Sequence, residues 1–119
     1  MNAYGSLLIT GRIKDLIIRN AENLSAVEIE NALFAHAGVA DVAVIGLPDP
    51  HTGERACAVV VPAVGAPSVT LADLARHCRG LGLAAQKIPE QLELVGELPR
   101  NLQGKVLKNE LRARFGVRN

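Results

Sequence analysis

The period of apolar positions along this chain changes several times, and each change marks an element. "SLLIT" (residues 6–10) and "DLIIRN" (15–20) are apolar runs of strand length on either side of "GRIK". Gly11 and two cations there read as a bend, so the stretch predicts an N-terminal β-hairpin. The period then lengthens: Ile29, Ala32, Leu33 and His36 fall on one face of a helix that Gly38 stops. Ser25 and Glu28 have the spacing of a capping box, in which the serine caps and the glutamate reaches back. "DVAVIG" (41–46) and "RACAVVV" (55–61) return to strand character around "LPDPHTGE", a turn rich in Pro, Gly and Asp. The second run is apolar on both faces and predicts a central strand covered on both sides. Thr70 and Asp73 cap a further helix with Leu71, Leu74 and Cys78 inward, "QLELVGEL" (91–98) alternates as a last strand, and a helix runs from Val106. The fold class is α+β, a small mixed sheet with about three packed helices.

Composition then limits the core and the surroundings. A chain of 119 residues suits one small domain, and with 3% aromatics and no Trp its core must be aliphatic. The net charge of +1 creates no global field for a polyanion. Apolar runs such as "ACAVVVPAV" are far shorter than the roughly 20 residues of a membrane span. No basic stretch followed by an apolar one marks a secretory leader. These features read as a cytoplasmic domain with no transmembrane segment. Cys57 and Cys78 sit on different elements, outside any metal-ligand spacing, and read as buried small hydrophobes of a reducing compartment. Residues 1–10 read as the end of an upstream domain or a linker strand, as if cut from something larger, and residues 11–119 as the domain proper.

Most catalytic chemistry has no candidate. His36, His51 and His77 share no ligand spacing with each other or with the cysteines; His36 reads as a helix end and His77 as an exposed helical position. There is no G-x-S-x-G elbow for a nucleophile, and "RGLGLAAQK" lacks the P-loop frame. Glu28 and Glu30 read as cap and helix surface. The basic tail of Lys108, Arg112 and Arg114 has no interleaved aromatics and is diluted by Glu110, so it reads as a solvated helix face with no nucleic-acid partner. Two short basic stretches remain, "GRIKD" and "QGKVLK". In the second, Lys105 follows Gly104, where an ammonium on a flexible stem can swing toward phosphate oxygens. Taken alone, both stretches read first as solvated loop charges.

Three ordered segments carry a resemblance. "ITGRIKDLIIRNAENLSAVEIENAL", "HAGVADVAVIGLPDPHTGERACAVVV" and "IPEQLELVGELPRNLQGKVLKNELR" are similar, in order and spacing, to the C-terminal domain of the adenylate-forming superfamily. That superfamily includes acyl-CoA synthetases, firefly luciferase and the adenylation domains of nonribosomal synthetases. The resemblance runs from Tyr4 to Phe115, and in its finer flavour it is similar to medium-chain or alicyclic acyl-CoA ligases, within the fatty-acid–CoA ligase type. It implies the mobile lid of a two-step ligase. A small-molecule carboxylic acid attacks the α-phosphate of ATP, supplied with Mg2+, and coenzyme A then displaces AMP. These ligands bind mainly to a large N-terminal adenylation domain, so the fragment alone should be inactive. On this resemblance Lys105 falls on the adenylation lysine, Arg12 on the arginine that approaches the ATP ribose, and Lys14 on the hinge.

Two departures carry weight. Asn20 and Ala21 stand where many relatives have paired glycines before the residue matching Glu22, lining the tunnel for the pantetheine arm. Asn101 and Gln103 stand where Thr or Ser is common, and Ile88 and Glu90 lie where relatives carry basic residues facing coenzyme A phosphates. Adenylation is thereby better supported than thioester formation. The alternatives are the lid of an acyl-AMP ligase that hands its product to a carrier protein, and a stand-alone binding module of the same fold.

Overall fold

Val42 and Val44 alternate with Ala43, Ile45 and Leu47 along one strand, and all five are buried, so the sheet that contains them is covered on both faces. The computed structural model describes residues 16–65 and 69–116. In chain order these form β1 (Leu16–Arg19), β2 (Glu22–Ser25), α1 (Ala26–Phe34), β3 (Val39–Asp49) and β4 (Gly53–Pro62). They continue with α2 (Leu71–Gly80), a short 3-10 turn (Ala85–Lys87), β5 (Gln91–Leu94) and α3 (Lys108–Gly116).

β3 and β4 form a long antiparallel ribbon, from Asp49 opposite Gly53 at its turn to Val39 opposite Pro62. The strand order is β2-β1-β4-β3, with β5 added to β4 in parallel through Cys57–Val60 and Gln91–Leu94. The sheet is therefore mixed, and β4 is its central strand. On one face Ile29 and Leu33 of α1 and Leu74 and Cys78 of α2 pack on Val42, Val44, Ala56, Ala58 and Val60. On the other, Leu111 of α3 packs with Val95 and Leu98 on Ala43, Ile45, Leu47, Cys57 and Val59. Each fully buried Leu or Ile stabilises by about 1.5–3 kcal/mol. Both cysteines are fully buried, as their sequence context implies, and they lie in opposite layers. Burial raises the pKa of the Cys78 thiol.

Several boundaries differ from the sequence reading for identifiable reasons. The N-terminal hairpin present is β1 with β2, registered from Leu16 opposite Ser25 to Arg19 opposite Glu22; "SLLIT" lies outside the described residues. Ser25 caps α1 through the Glu28 N–H, but the Glu28 carboxylate pairs with Lys87 at 3.0 Å and does not reach back. The full capping box is on α2, where Thr70 and Asp73 exchange both bonds. There the Thr70 N–H, followed by its hydroxyl, holds the Asp73 pKa below the usual carboxylate value. Leu71, expected inward, is half-buried. His77, expected exposed, is half-buried: its Nε2 lies 2.8 Å from the Ala32 carbonyl and its ring meets His36 edge-on at 5.0 Å. The last strand stops at Leu94, and the final helix starts at Lys108 because Val106 pairs back with Arg100.

Two irregularities belong to β3. Val39 faces Pro62 but Asp41 faces Val61, so Ala40 is an extra residue, a β-bulge. The bulge turns Val39 into the α1 and α2 layer and leaves Asp41 on the opposite face beside Val61. β3 is also the edge of the sheet among the described residues. Glu30, expected on the helix surface, is half-buried; its Oε2 accepts the Val44 N–H at 2.8 Å and meets Lys108 Nζ at 2.7 Å.

Candidate active site

The lysine loop grows out of the core. Leu98 and Leu111 are both buried in the α3 layer and fix the two ends of the intervening segment. Inside it the Leu107 N–H donates to Pro99 O at 2.8 Å and Arg100 bridges to Val106. The tip is closed by an asparagine: Asn101 Oδ1 accepts the N–H groups of Gln103 and Lys105, both at 2.9 Å. An asparagine side chain that mimics a backbone turn in this way is a recurrent loop device. The Asn101 N–H donates to Lys105 O and the Gly104 N–H to Asn101 O, each at 2.9 Å. Gly104 has φ +87°, and a Cβ there would meet nothing within 4 Å, so the backbone angle alone calls for glycine. Lys105 is exposed. The backbone here is a hydrogen-bonded turn, so the freedom of this position lies in the lysine side chain.

Arg100 ties this loop to the sheet. Its Nη1 donates to the Gly104 carbonyl and its Nη2 to Asp41 Oδ2, both at 2.5 Å. Asp41 is itself oriented, since its Oδ1 accepts the Val42 N–H at 2.9 Å. Neither Arg100 nor Asp41 was singled out in the sequence. Asn101 was noted only as a departure from the common Thr or Ser, although an Asn three residues before a Gly is a turn signal in its own right.

The second candidate region is the β1–β2 loop. Asn20 has φ +53° and Ala21 φ +66°, the two left-handed positions of a two-residue hairpin turn. Both side chains are exposed, as is that of Glu22, which pairs across the ladder with Arg19. The Asn20 N–H donates to Thr52 O at 2.8 Å, docking this hairpin on the β3–β4 turn. That turn is held by Asp49, whose Oδ1 accepts the His51 N–H at 2.8 Å and the Thr52 N–H at 3.0 Å. The same two bonds, His51 first, hold the Asp49 pKa below the ordinary carboxylate value. Next to the turn Arg19 donates to Gln86 O at 2.7 Å and pairs with Glu90 at 2.9 Å. The Glu90 carboxylate is thus paired within the domain.

The two regions are not brought together. Lys105 stands by Asp41 at one end of the β3–β4 ribbon, and Asn20, Ala21 and Glu22 by Thr52 at the other. From Asp41 to Asp49 a strand runs about 26 Å at ~3.3 Å per residue. Arg12 and Lys14 lie outside the described residues. Two shallow concavities lie among the described residues, one of ≈ 360 Å³ lined by Pro48, Asp49, Pro50 and Gly53, and one of ≈ 220 Å³ lined by Glu97, Pro99, Glu110, Leu111 and Arg114. No group of three His, Cys, Asp or Glu side chains among the described residues is placed to hold a metal ion. No helix among them is long and apolar enough to cross a membrane.

The described residues thus form a small α+β body with an exposed lysine turn at one end of its long ribbon and an exposed hairpin turn at the other. Residues 28–105 match the AMP-binding enzyme C-terminal domain, and the chain belongs to that family. It is 42% identical over 115 residues to the vibriobactin-specific 2,3-dihydroxybenzoate-AMP ligase of Vibrio cholerae, covering 97% of this chain and 21% of that protein. It is 43% identical over 112 residues to a feruloyl-CoA synthase of Amycolatopsis, covering 94% and 22%. Among solved structures it is similar to ATP-bound MatB from Rhodopseudomonas palustris, with a TM-score of 0.81 and 39% identity over 87% of this chain and 20% of that one. The chain thus spans about a fifth of the length of the curated relatives it matches.

Proposed function

We propose that this chain is the mobile lid of an AMP-forming acid–thiol ligase that works with a large N-terminal adenylation domain. In the first half-reaction a carboxylate oxygen attacks the α-phosphorus of ATP and pyrophosphate leaves. In the second, the coenzyme A sulfur attacks the acyl carbon and AMP leaves. The observation that carries the reading is Lys105, an exposed ammonium on a preformed turn. Such a charge becomes useful only when a second surface closes over it and removes water, where it stabilises negative charge developing on the phosphate oxygens. Arg12 toward the ATP ribose and Lys14 at the hinge complete the assignment, on resemblance alone. The described residues do not fit Mg2+, so no step is routed through it on this side of the enzyme. ATP and coenzyme A are cytoplasmic substrates, and the enzyme is assigned to that compartment.

The test is a pair of half-reaction assays on the complete enzyme. Lys105→Ala should lower ATP–pyrophosphate exchange by about 10²-fold or more, the scale of losing one preorganised charge. Acyl transfer from pre-made acyl-adenylate should be nearly unchanged, because lid motion has by then removed the lysine. Equal losses in both assays would make Lys105 structural and end this reading.

A second reading replaces coenzyme A with the thiol of a carrier protein, the substrate being an aryl or fatty acid. It is favoured by the exposed Asn20 and Ala21 side chains on the hairpin assigned to the thiol passage, and by the AMP-ligase names among the relatives. Relative rates of acyl transfer to free coenzyme A and to a phosphopantetheinyl carrier separate the two.

A further inference from the structure

The two terminal guanidinium nitrogens of Arg100 reach, separately, the carbonyl that precedes Lys105 and a carboxylate anchored in the sheet. We propose that Asp41 and Arg100 form a strut that positions Lys105, so that the lysine turn moves as one rigid piece with the β-sheet. This deepens the role assigned to Lys105 and rests on it.

The first argument is the direction of the bonds. Gly104 O is the carbonyl of the peptide unit that contains the Lys105 N–H, and that N–H is held by Asn101 Oδ1. Arg100 therefore grips one side of that peptide and Asn101 the other. Lys105 begins its side chain from a plane fixed at both ends. The second argument is the strand register. Pairing is unbroken from Asp41 to Asp49, so plain alternation puts Asp41 on the face of Ala43, Ile45 and Leu47. That is the face on which Leu98 and Leu111, the anchors of the lysine turn, are packed. The third argument is exposure. The side chains of Arg100 and Asp41 are 40% and 26% exposed, and an ion pair so open to water contributes little to global stability. Its consequence is therefore geometric, and misplacing a catalytic group by about 1 Å can cost 10²-fold in rate.

The experiment uses the full-length enzyme and four variants: Lys105→Ala, Arg100→Ala, Asp41→Ala and the Arg100→Ala/Asp41→Ala double. The expected result is a loss of roughly tenfold in the maximal rate of pyrophosphate exchange for either single strut variant, with the KM for ATP little changed. The double should be no worse than the poorer single, since the two groups act as one device. Acyl transfer from pre-made acyl-adenylate and the unfolding midpoint should match wild type. Hydrogen exchange at the Gln103 and Lys105 amides should rise in each strut variant. Arg100→Lys should recover only part of the rate, because an ammonium lacks the fork that spans two acceptors. Normal exchange rates in the strut variants beside an impaired Lys105→Ala would overturn the strut and leave the role of Lys105 standing. Independent, additive losses in the double variant, or equal losses in both half-reactions, would also overturn it. If Lys105→Ala is itself unimpaired, both the role of Lys105 and the strut fall.

Discussion

At one end of the β3–β4 ribbon a glycine, Gly104, occupies the left-handed backbone position, and at the other Asn20 and Ala21 occupy two of them. The lysine turn is closed by side chains, with Asn101 and Arg100 both bonding its backbone. The hairpin turn is docked instead by a main-chain bond, Asn20 N–H to Thr52 O. Glycine and polar caps relieve the first turn of strain and leave the side chains of Leu102, Gln103 and Lys105 exposed. The second keeps its strain and presents two small side chains. The same backbone demand is thus met by glycine and side-chain caps in one place and by two strained residues and a main-chain bond in the other.

The largest expected effect would break this contrast outright. If the two ends serve different half-reactions, Lys105→Ala lowers pyrophosphate exchange a hundredfold, while the Asn20→Gly/Ala21→Gly double variant leaves exchange intact and alters acyl transfer. With a carrier-protein enzyme, removing both side chains should raise transfer to free coenzyme A about tenfold or more, each 1.4 kcal/mol of relieved contact being about tenfold. With a coenzyme A enzyme, only a modest KM change is expected. A change in exchange with transfer unaltered would mean the hairpin has been assigned to the wrong step.

Next in size is Gly104→Ala. The site has space but the wrong backbone angle, so the variant should lose about 1 kcal/mol in urea unfolding of the domain. Ala21→Gly should move the other way. Relief of a left-handed alanine, at about 1–2 kcal/mol, less the added chain entropy of glycine, at about 0.4–1, leaves a gain of about 0.5–1 kcal/mol. Opposite signs for the same pair of residue types would sharpen the comparison; equal signs would show that neither turn is governed by φ. The smallest effect concerns Asp49. Its pKa is depressed in the fold, so its contribution is present above the unfolded carboxylate value and is lost as pH falls through the folded one. Asp49→Ala should therefore unfold slightly earlier than wild type at pH 7, with the two curves converging in acid. A difference independent of pH would assign the effect to packing.

The layered fold was legible because residues 42–47 and 56–60 are apolar at every position, which only a strand covered on both faces tolerates. β2 was missed because Glu22 and Asn23 are polar and Ser25 already had a role as a cap. That strand exists because the Asn20 and Ala21 turn folds it onto β1, a decision made by φ values that a residue string does not display. Lys105 was legible through its motif and its glycine. Its supports divide instructively. Asn101 acts over a few residues and carries a local turn signal, whereas Arg100 meets Asp41 across 59 positions, a pairing that no local pattern announces.

The Glu30 contact has a further consequence for the open edge of the sheet. β3 is eleven residues long, and its outer rim would otherwise offer amide and carbonyl groups to any passing extended chain. By filling the Val44 N–H from α1 and fastening itself to Lys108 of α3, Glu30 lays a polar strap over the middle of that rim. Replacing Glu30 would thus be felt first as self-association, before any loss of the fold.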